Sequence, residues 1–253
     1  LNKGVFFKKN IFAGSVEQRS DNIQSALDNK ESKAIFFSRG GYGSIQIIDL
    51  LDFSKFQATP KWLIGFSDIT IILNHLYAKY NIQSIHGPMP FSFKQNQKKG
   101  VNKIFDLLKK RGGHMVAESN KYNKPGTASG IIIGGNLSIL CSLLFSESFP
   151  GEKDYILFIE EVDEYLYHIE RMMYSLYRSG FLKRIKGLVV GGMTEIKDNP
   201  VPFGKKVHEI IYDMAREYNF PLGFAFPIGH QKENHPIVIG ASAELSVEKN
   251  QYY

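Results

Sequence analysis

Short apolar runs of strand length alternate with helix-length segments along most of this chain, and no other feature restricts its fold as much. Strands joined through helices pair in parallel, which predicts an α/β protein with a largely parallel sheet. The run Lys33 to Phe37 reads as a buried strand, followed by a glycine cluster and a helix over Ile45 to Leu51. Trp62 to Gly65 reads as the next strand, leading into a helix from about Asp68 to Tyr80 and a strand near Ile82 to His86. The second half repeats the rhythm: strand Gly130 to Gly134, helix Asn136 to Leu144, strand Tyr155 to Ile159 and helix Tyr165 to Ser179. In that last helix Leu166, Ile169, Met173 and Leu176 recur at three- and four-residue spacing, with Gly180 where a left-handed cap is wanted. Strand Leu188 to Gly191, helix Lys205 to Tyr218 and two or three strands between Pro221 and Val247 complete the pattern. The stretch from Glu118 to Thr127 is polar and turn-rich, so the chain is expected to divide into residues 1–118, a linker over 119–127 and residues 128–253.

With 253 residues, 43% of them hydrophobic, the chain can bury a substantial core. No apolar run approaches the roughly 20 residues of a membrane helix, and the first nine residues show neither a continuous apolar stretch nor a small-residue cleavage site, so no membrane association and no export signal are expected. The single cysteine, Cys141, excludes an internal disulfide and a cysteine metal cage, which fits the cytoplasm; its apolar neighbours mark it as core filler. The net charge of +6 comes from scattered pairs such as Lys8-Lys9, Lys98-Lys99 and Lys205-Lys206 rather than from a basic stripe. Such pairs mark solvated faces, and no nucleic-acid signature accompanies them.

Four places could carry chemistry. In Trp62-Leu-Ile-Gly-Phe-Ser67-Asp68-Ile-Thr70 an apolar strand turns through a serine into a helix, exposing the hydroxyl at the sheet's carboxyl edge with helix N–H groups beside it. Ile69 stands where a nucleophile elbow has its second glycine, and a serine that merely caps the helix is the competing reading. Tyr155-Ile-Leu-Phe-Ile159-Glu160-Glu161 delivers carboxylates at a strand end, or else acids to the first turn of the next helix. Phe226-Pro-Ile-Gly229-His230 presents an imidazole after a glycine, the general base that a serine needs near neutral pH. His86, before Gly87-Pro88, is its only serious rival, since His75, His168 and His208 fall in helices and His114 and His235 in polar loops. The loop Ser38-Arg39-Gly40-Gly41-Tyr42-Gly43-Ser44 lacks the pattern of a nucleotide phosphate loop and suits an oxyanion hole or a carboxylate cradle, with a plain tight turn as the alternative.

In order along the chain, Phe12-Ala-Gly14 with Arg19, Arg39-Gly-Gly-Tyr-Gly43, Gly65-Phe-Ser-Asp68-Ile-Thr70, His86-Gly-Pro88, Gly134-Gly-Asn136-Leu, Ile159-Glu160, Ile169-Glu-Arg171-Met and Gly229-His230 resemble the LD-carboxypeptidase family. These are serine peptidases that trim murein tetrapeptides, and they include the microcin immunity peptidases. The resemblance implies a flavodoxin-like, class I amidotransferase-like parallel-sheet domain that bears the nucleophile, plus a smaller α/β domain that bears Glu and His. It implies Ser67 as nucleophile, Glu160 as acid and His230 as base, with backbone amides of Gly41 (or Gly40) and Asp68 as the oxyanion hole. Substrate contacts would come from Arg39, Tyr42, His86 and Asn136, whereas Arg171 is expected to be structural. It also implies a homodimer, a murein tetrapeptide as substrate, and no metal or cofactor. Hydrolysis of aminoacyl-sulfamoyl adenylates is the rival activity within the family; the resemblance implies for it an enlarged loop with a Trp that stacks on the nucleobase, but the only tryptophan here, Trp62, precedes the elbow and the segment after Glu160 is compact. A non-catalytic small-ligand module is the rival outside it. Compared with the family pattern, a first β-strand with its loop and helix is not seen; if that strand belongs to the centre of a parallel sheet, unpaired backbone and apolar surface are expected.

Overall fold

The computed structural model describes residues 3–93, 98–109, 113–151 and 154–248. The first two residues of the stretch read for an export signal lie outside these.

Two sheets organise the chain. The first joins β1 (Ala34–Phe36), β2 (Trp62–Gly65) and β3 (Ser84–His86) in parallel, and β8 (Ile237–Ile239) closes it antiparallel to β3. The second runs β7 (Leu222–Gly223), β6 (Ile185–Thr194), β5 (Tyr155–Val162) and β4 (Gly126–Asn136) in parallel, with β9 (Ser242–Val247) antiparallel on β4. The protein is thus mixed α/β with two sheets rich in parallel pairs. Among the described strands β1 pairs only with β2, so it forms an edge.

β5 is buried throughout its first seven residues because it lies between two parallel neighbours, which explains its unbroken apolar run. One hydrophobic core spans both sheets, holding Leu63, Ile71 and Leu76 from the first half with Ile133, Phe158 and Leu188 from the second. A smaller cluster of Ile64, Ile85 and Ile104 lies under α4 (Lys98–Leu108), and Trp62 packs there.

Expected and observed elements differ instructively. α3 (Thr70–Tyr80), α5 (Leu137–Leu143), α6 (Leu166–Arg178) and α7 (Val207–Ala215) fall where the spacing predicts helices, and Gly180 is left-handed. The helix expected over Ile45 to Leu51 is instead two 3-10 turns, Ser44–Gln46 and Ile48–Leu50. Ile47 and Ile48 are adjacent rather than three or four apart, and tight turns bury both. α1 (Val16–Asp28) was not expected. Its signal is the capping box, in which the Ser15 hydroxyl accepts from the Gln18 amide and the Gln18 side chain accepts from the Ser15 amide. A short α2 (Ser54–Ala58) also escaped the sequence reading. The strand of the ending that the first sheet borrows as β8 means that the two halves are not cleanly separated in the chain.

Candidate active site

β2 brings Gly65 to the carboxyl edge of the first sheet, Phe66 stays extended, and Ser67 takes a left-handed backbone at φ 64°. A non-glycine residue there is strained by about 1–3 kcal/mol, and surrounding contacts must hold it. Ile69 takes the place of the elbow's second glycine and covers Gly65, where an added Cβ would lie 2.9 Å from the Ile69 Cγ2. Gly40 approaches from the neighbouring loop so closely that a Cβ on it would lie 2.8 Å from the Ser67 Cβ and 3.0 Å from its Oγ. Only glycine leaves room for backbone amides beside the hydroxyl.

The Asp68 carboxylate fastens that loop to the elbow, accepting from the Ser44 amide at 2.9 Å and the Ser44 hydroxyl at 2.7 Å. Burial pushes its pKa above the ordinary value despite those donors. From behind, Arg19 donates to the Gly43 carbonyl at 2.8 Å and stacks over Phe12 at 4.9 Å, which accounts for the Phe12…Arg19 motif.

Glu160 and Glu161 are both in β5, not in a helical first turn, and strand alternation sends them to opposite sides. Glu160 is fully buried and its Oε2 meets His230 Nδ1 at 2.7 Å and the His230 amide at 3.2 Å. Glu161 accepts from Asn136 Nδ2 at 2.7 Å, the Ser138 amide at 2.8 Å and the Val162 amide at 2.9 Å, so it anchors the start of α5. Gly229, at φ 93°, permits the first arrangement: a Cβ there would lie 2.4 Å from Glu160 Oε2. Thr194 Oγ1 donates to the His230 carbonyl at 2.6 Å, and the Phe66 ring lies 4.8 Å from the imidazole.

Burial pulls the His230 pKa down, but the hydrogen bond and charge of Glu160 outweigh it and the net direction is up. Burial raises Glu160, but its hydrogen bonds to His230 and the charge of His230 outweigh that and bring it below the ordinary value. The pair is therefore a carboxylate that holds an imidazole by Nδ1, which leaves Nε2 for the cavity.

Ser67 and His230 line one cavity of about 580 Å³ together with Arg39, Gly40 and Gly41. No hydrogen bond joins Ser67 to His230 among the described residues; the two face the same space. Not all expected residues reach it. Tyr42 stacks on Phe12 and lines a neighbouring cavity, Asn136 is spent on Glu161, and His86 is fully buried. None of these three lines the cavity that Ser67 and His230 share. Arg171 stacks on Tyr167 at 5.3 Å, away from the cavity lining. Cys141 is partly buried, donates to the Met172 carbonyl and has its pKa pushed up to about 12 by burial. Among the described residues no group of three His, Cys, Asp or Glu could hold a metal ion, and no helix is long and apolar enough to cross a membrane.

Sequence reasoning missed the seam behind the elbow. Asn74, fully buried in α3, donates to the Thr70 carbonyl at 2.8 Å and the Gly134 carbonyl at 2.9 Å, while Thr70 Oγ1 accepts from the Asn136 amide at 3.2 Å. A polar residue within the apolar run of α3 was its only signal.

A serine elbow, a glycine loop and a carboxylate–imidazole pair around one cavity define the arrangement of a serine hydrolase. Residues 2–87 match the LD-carboxypeptidase N-terminal domain and residues 129–245 the LD-carboxypeptidase C-terminal domain, and the chain belongs to this family. It is 28% identical over 256 residues to the murein tetrapeptide carboxypeptidase of Pseudomonas aeruginosa, covering 97% of this chain and 82% of that protein. It is 30% identical over 246 residues to a Synechocystis sp. protein with the provisional name of carboxypeptidase, covering 97% and 80%. The crystal structure of the muramoyltetrapeptide carboxypeptidase from Oxalobacter formigenes superposes with a TM-score of 0.87 at 28% identity, over 98% of this chain and 85% of that one.

Proposed function

We propose that this chain is a serine-type LD-carboxypeptidase that cleaves the bond before the terminal D-alanine of murein tetrapeptides, with Ser67, Glu160 and His230 as its triad. What carries the reading is a serine held in a left-handed backbone at a strand–helix elbow, facing one cavity with an imidazole whose other nitrogen is bonded to a buried carboxylate. The named relatives support the substrate class.

In this reading His230 Nε2 takes the Ser67 proton as the hydroxyl attacks the scissile carbonyl. The backbone amides of Gly41 (or Gly40) and Asp68 receive the oxyanion, and Glu160 steadies the imidazolium, which then protonates the departing D-alanine amine. Water repeats the sequence on the acyl-enzyme. Arg39, exposed at the cavity and stacked on Phe91 at 5.5 Å, is a ready partner for the substrate's terminal carboxylate. Trp62 packs beneath α4, so the stacking residue expected of the sulfamoyl-adenylate activity is absent from the described cavity lining. The reading takes residues 1–118 as a flavodoxin-like half and residues 128–253 as the second half, joined by 119–127. The homodimer rests on the family resemblance, and the cytoplasmic placement on the single cysteine and the lack of an export-signal pattern in residues 1–9.

The test is incubation with a defined murein tetrapeptide and detection of D-alanine by mass spectrometry. The chain is expected to release it, and Ser67→Ala to lower turnover by about a millionfold. Release by Ser67→Ala at the unsubstituted rate would remove Ser67 as nucleophile.

A further inference from the structure

His86 ends β3 in register with Gly65 of the elbow strand on one side and Ile237 of β8 on the other. Its ring is fully buried, edge-on to Phe158 at 5.0 Å and to Phe66 at 5.9 Å, and Phe66 in turn covers His230. Neither ring nitrogen of His86 has a hydrogen-bond partner among the described residues. Glu160 Oε1 is in the same condition, buried and unpartnered, while Oε2 takes both bonds from His230. Two buried groups close to His230 thus lack partners, an imidazole N–H and a carboxylate oxygen, a situation that native interiors rarely leave uncorrected. Phe158 and Glu160 are two residues apart on one face of β5, so the ring that borders His86 lies beside the carboxylate on the same side of the strand.

We propose that His86 is a positioning residue for the Glu160–His230 pair, an uncharged imidazole whose N–H is the donor for Glu160 Oε1 in the working enzyme. The proposal rests on the triad reading given above. Among the described residues the charged or titratable groups that act on His86 are Glu160 of β5 and His230. Burial, followed by these two groups with opposite signs, holds His86 at a pKa of about 4, so it stays neutral wherever His230 titrates. Neutrality suits the role. A second cation beside Glu160 would oppose the imidazolium that forms on His230, whereas a neutral N–H fixes the carboxylate's orientation and only trims its basicity.

The experiment follows the His230 ring by NMR across a pH titration in the full chain. Removing a donor from Glu160 leaves a more basic carboxylate, which grips the His230 proton more tightly. His86→Phe is therefore expected to move the His230 midpoint up by about half to one pH unit. His86→Gln, which keeps an N–H, is expected to bring it back toward the unsubstituted value. An unmoved midpoint in a folded His86→Phe protein would overturn the proposal. Should that variant not fold, the unsubstituted protein decides: a slowly exchanging, downfield His86 ring N–H that moves on Glu160→Gln supports the bond, and its absence overturns it. D-alanine release is scored separately. An inactive chain whose His230 midpoint still responds to His86 overturns the peptidase reading, while an active chain whose midpoint does not respond overturns only the role of His86.

Discussion

One added methyl group at Gly229 would both demand a left-handed alanine and press against Glu160 Oε2, because the backbone is at φ 93° and the Cβ would stand 2.4 Å from that oxygen. Gly229→Ala is expected to displace the carboxylate from His230 and lower kcat/KM for D-alanine release by about 100-fold or more, since small misplacements of catalytic groups carry costs of that size. Unchanged kinetics in a folded Gly229→Ala protein would mean that the pair is not set by this backbone. The glycine was legible in the sequence as part of Gly229-His230, but its reason was not, since only the fold brings it against a strand 69 residues earlier, at Glu160. The choice between Glu160 and Glu161 was equally undecided from residues alone. Alternation along β5 decides it, with one carboxylate on the imidazole and the other on Asn136 and the start of α5.

At the scale of elements, the elbow depends on a seam between α3 and β4. Asn74 bridges the Thr70 and Gly134 carbonyls, and Thr70 Oγ1 receives the Asn136 amide, so the helix that follows Ser67 is bonded directly to the second sheet. Asn74→Ala removes the buried side-chain bonds that tie α3 to Gly134 and leaves a cavity, and is expected to destabilise the protein by about 2–4 kcal/mol, read as a drop in the denaturant midpoint. A change below about 0.5 kcal/mol would show that the seam is held by apolar packing alone. Strands were the most legible elements, because a buried parallel strand has to be apolar along its whole length. Segment 45–51 was not legible as 3-10 turns. Its apolar residues suggest a helix, and the contact that fixes the residue just before it, Ser44 to Asp68, spans 24 positions.

Across the whole molecule, the first sheet is built from both halves of the chain. β8 leaves the second sheet's neighbourhood to pair with β3, and a single hydrophobic core runs under both sheets. The strand that leads to Ser67, the strand that carries Glu160 and the His230 loop are therefore parts of one packed body, as the proposed triad of residues 67, 160 and 230 requires. The direct test of that convergence is the pH dependence of labelling by a serine-directed fluorophosphonate, with the modified peptide located by mass spectrometry. Because Glu160 raises the His230 pKa, the neutral base appears only above the ordinary imidazole value. The label is expected on Ser67 alone, at a rate that climbs through a midpoint above about 6.5. Labelling elsewhere, no labelling, or a rate on Ser67 that is flat from acid to neutral pH would contradict an alcohol activated by this imidazole.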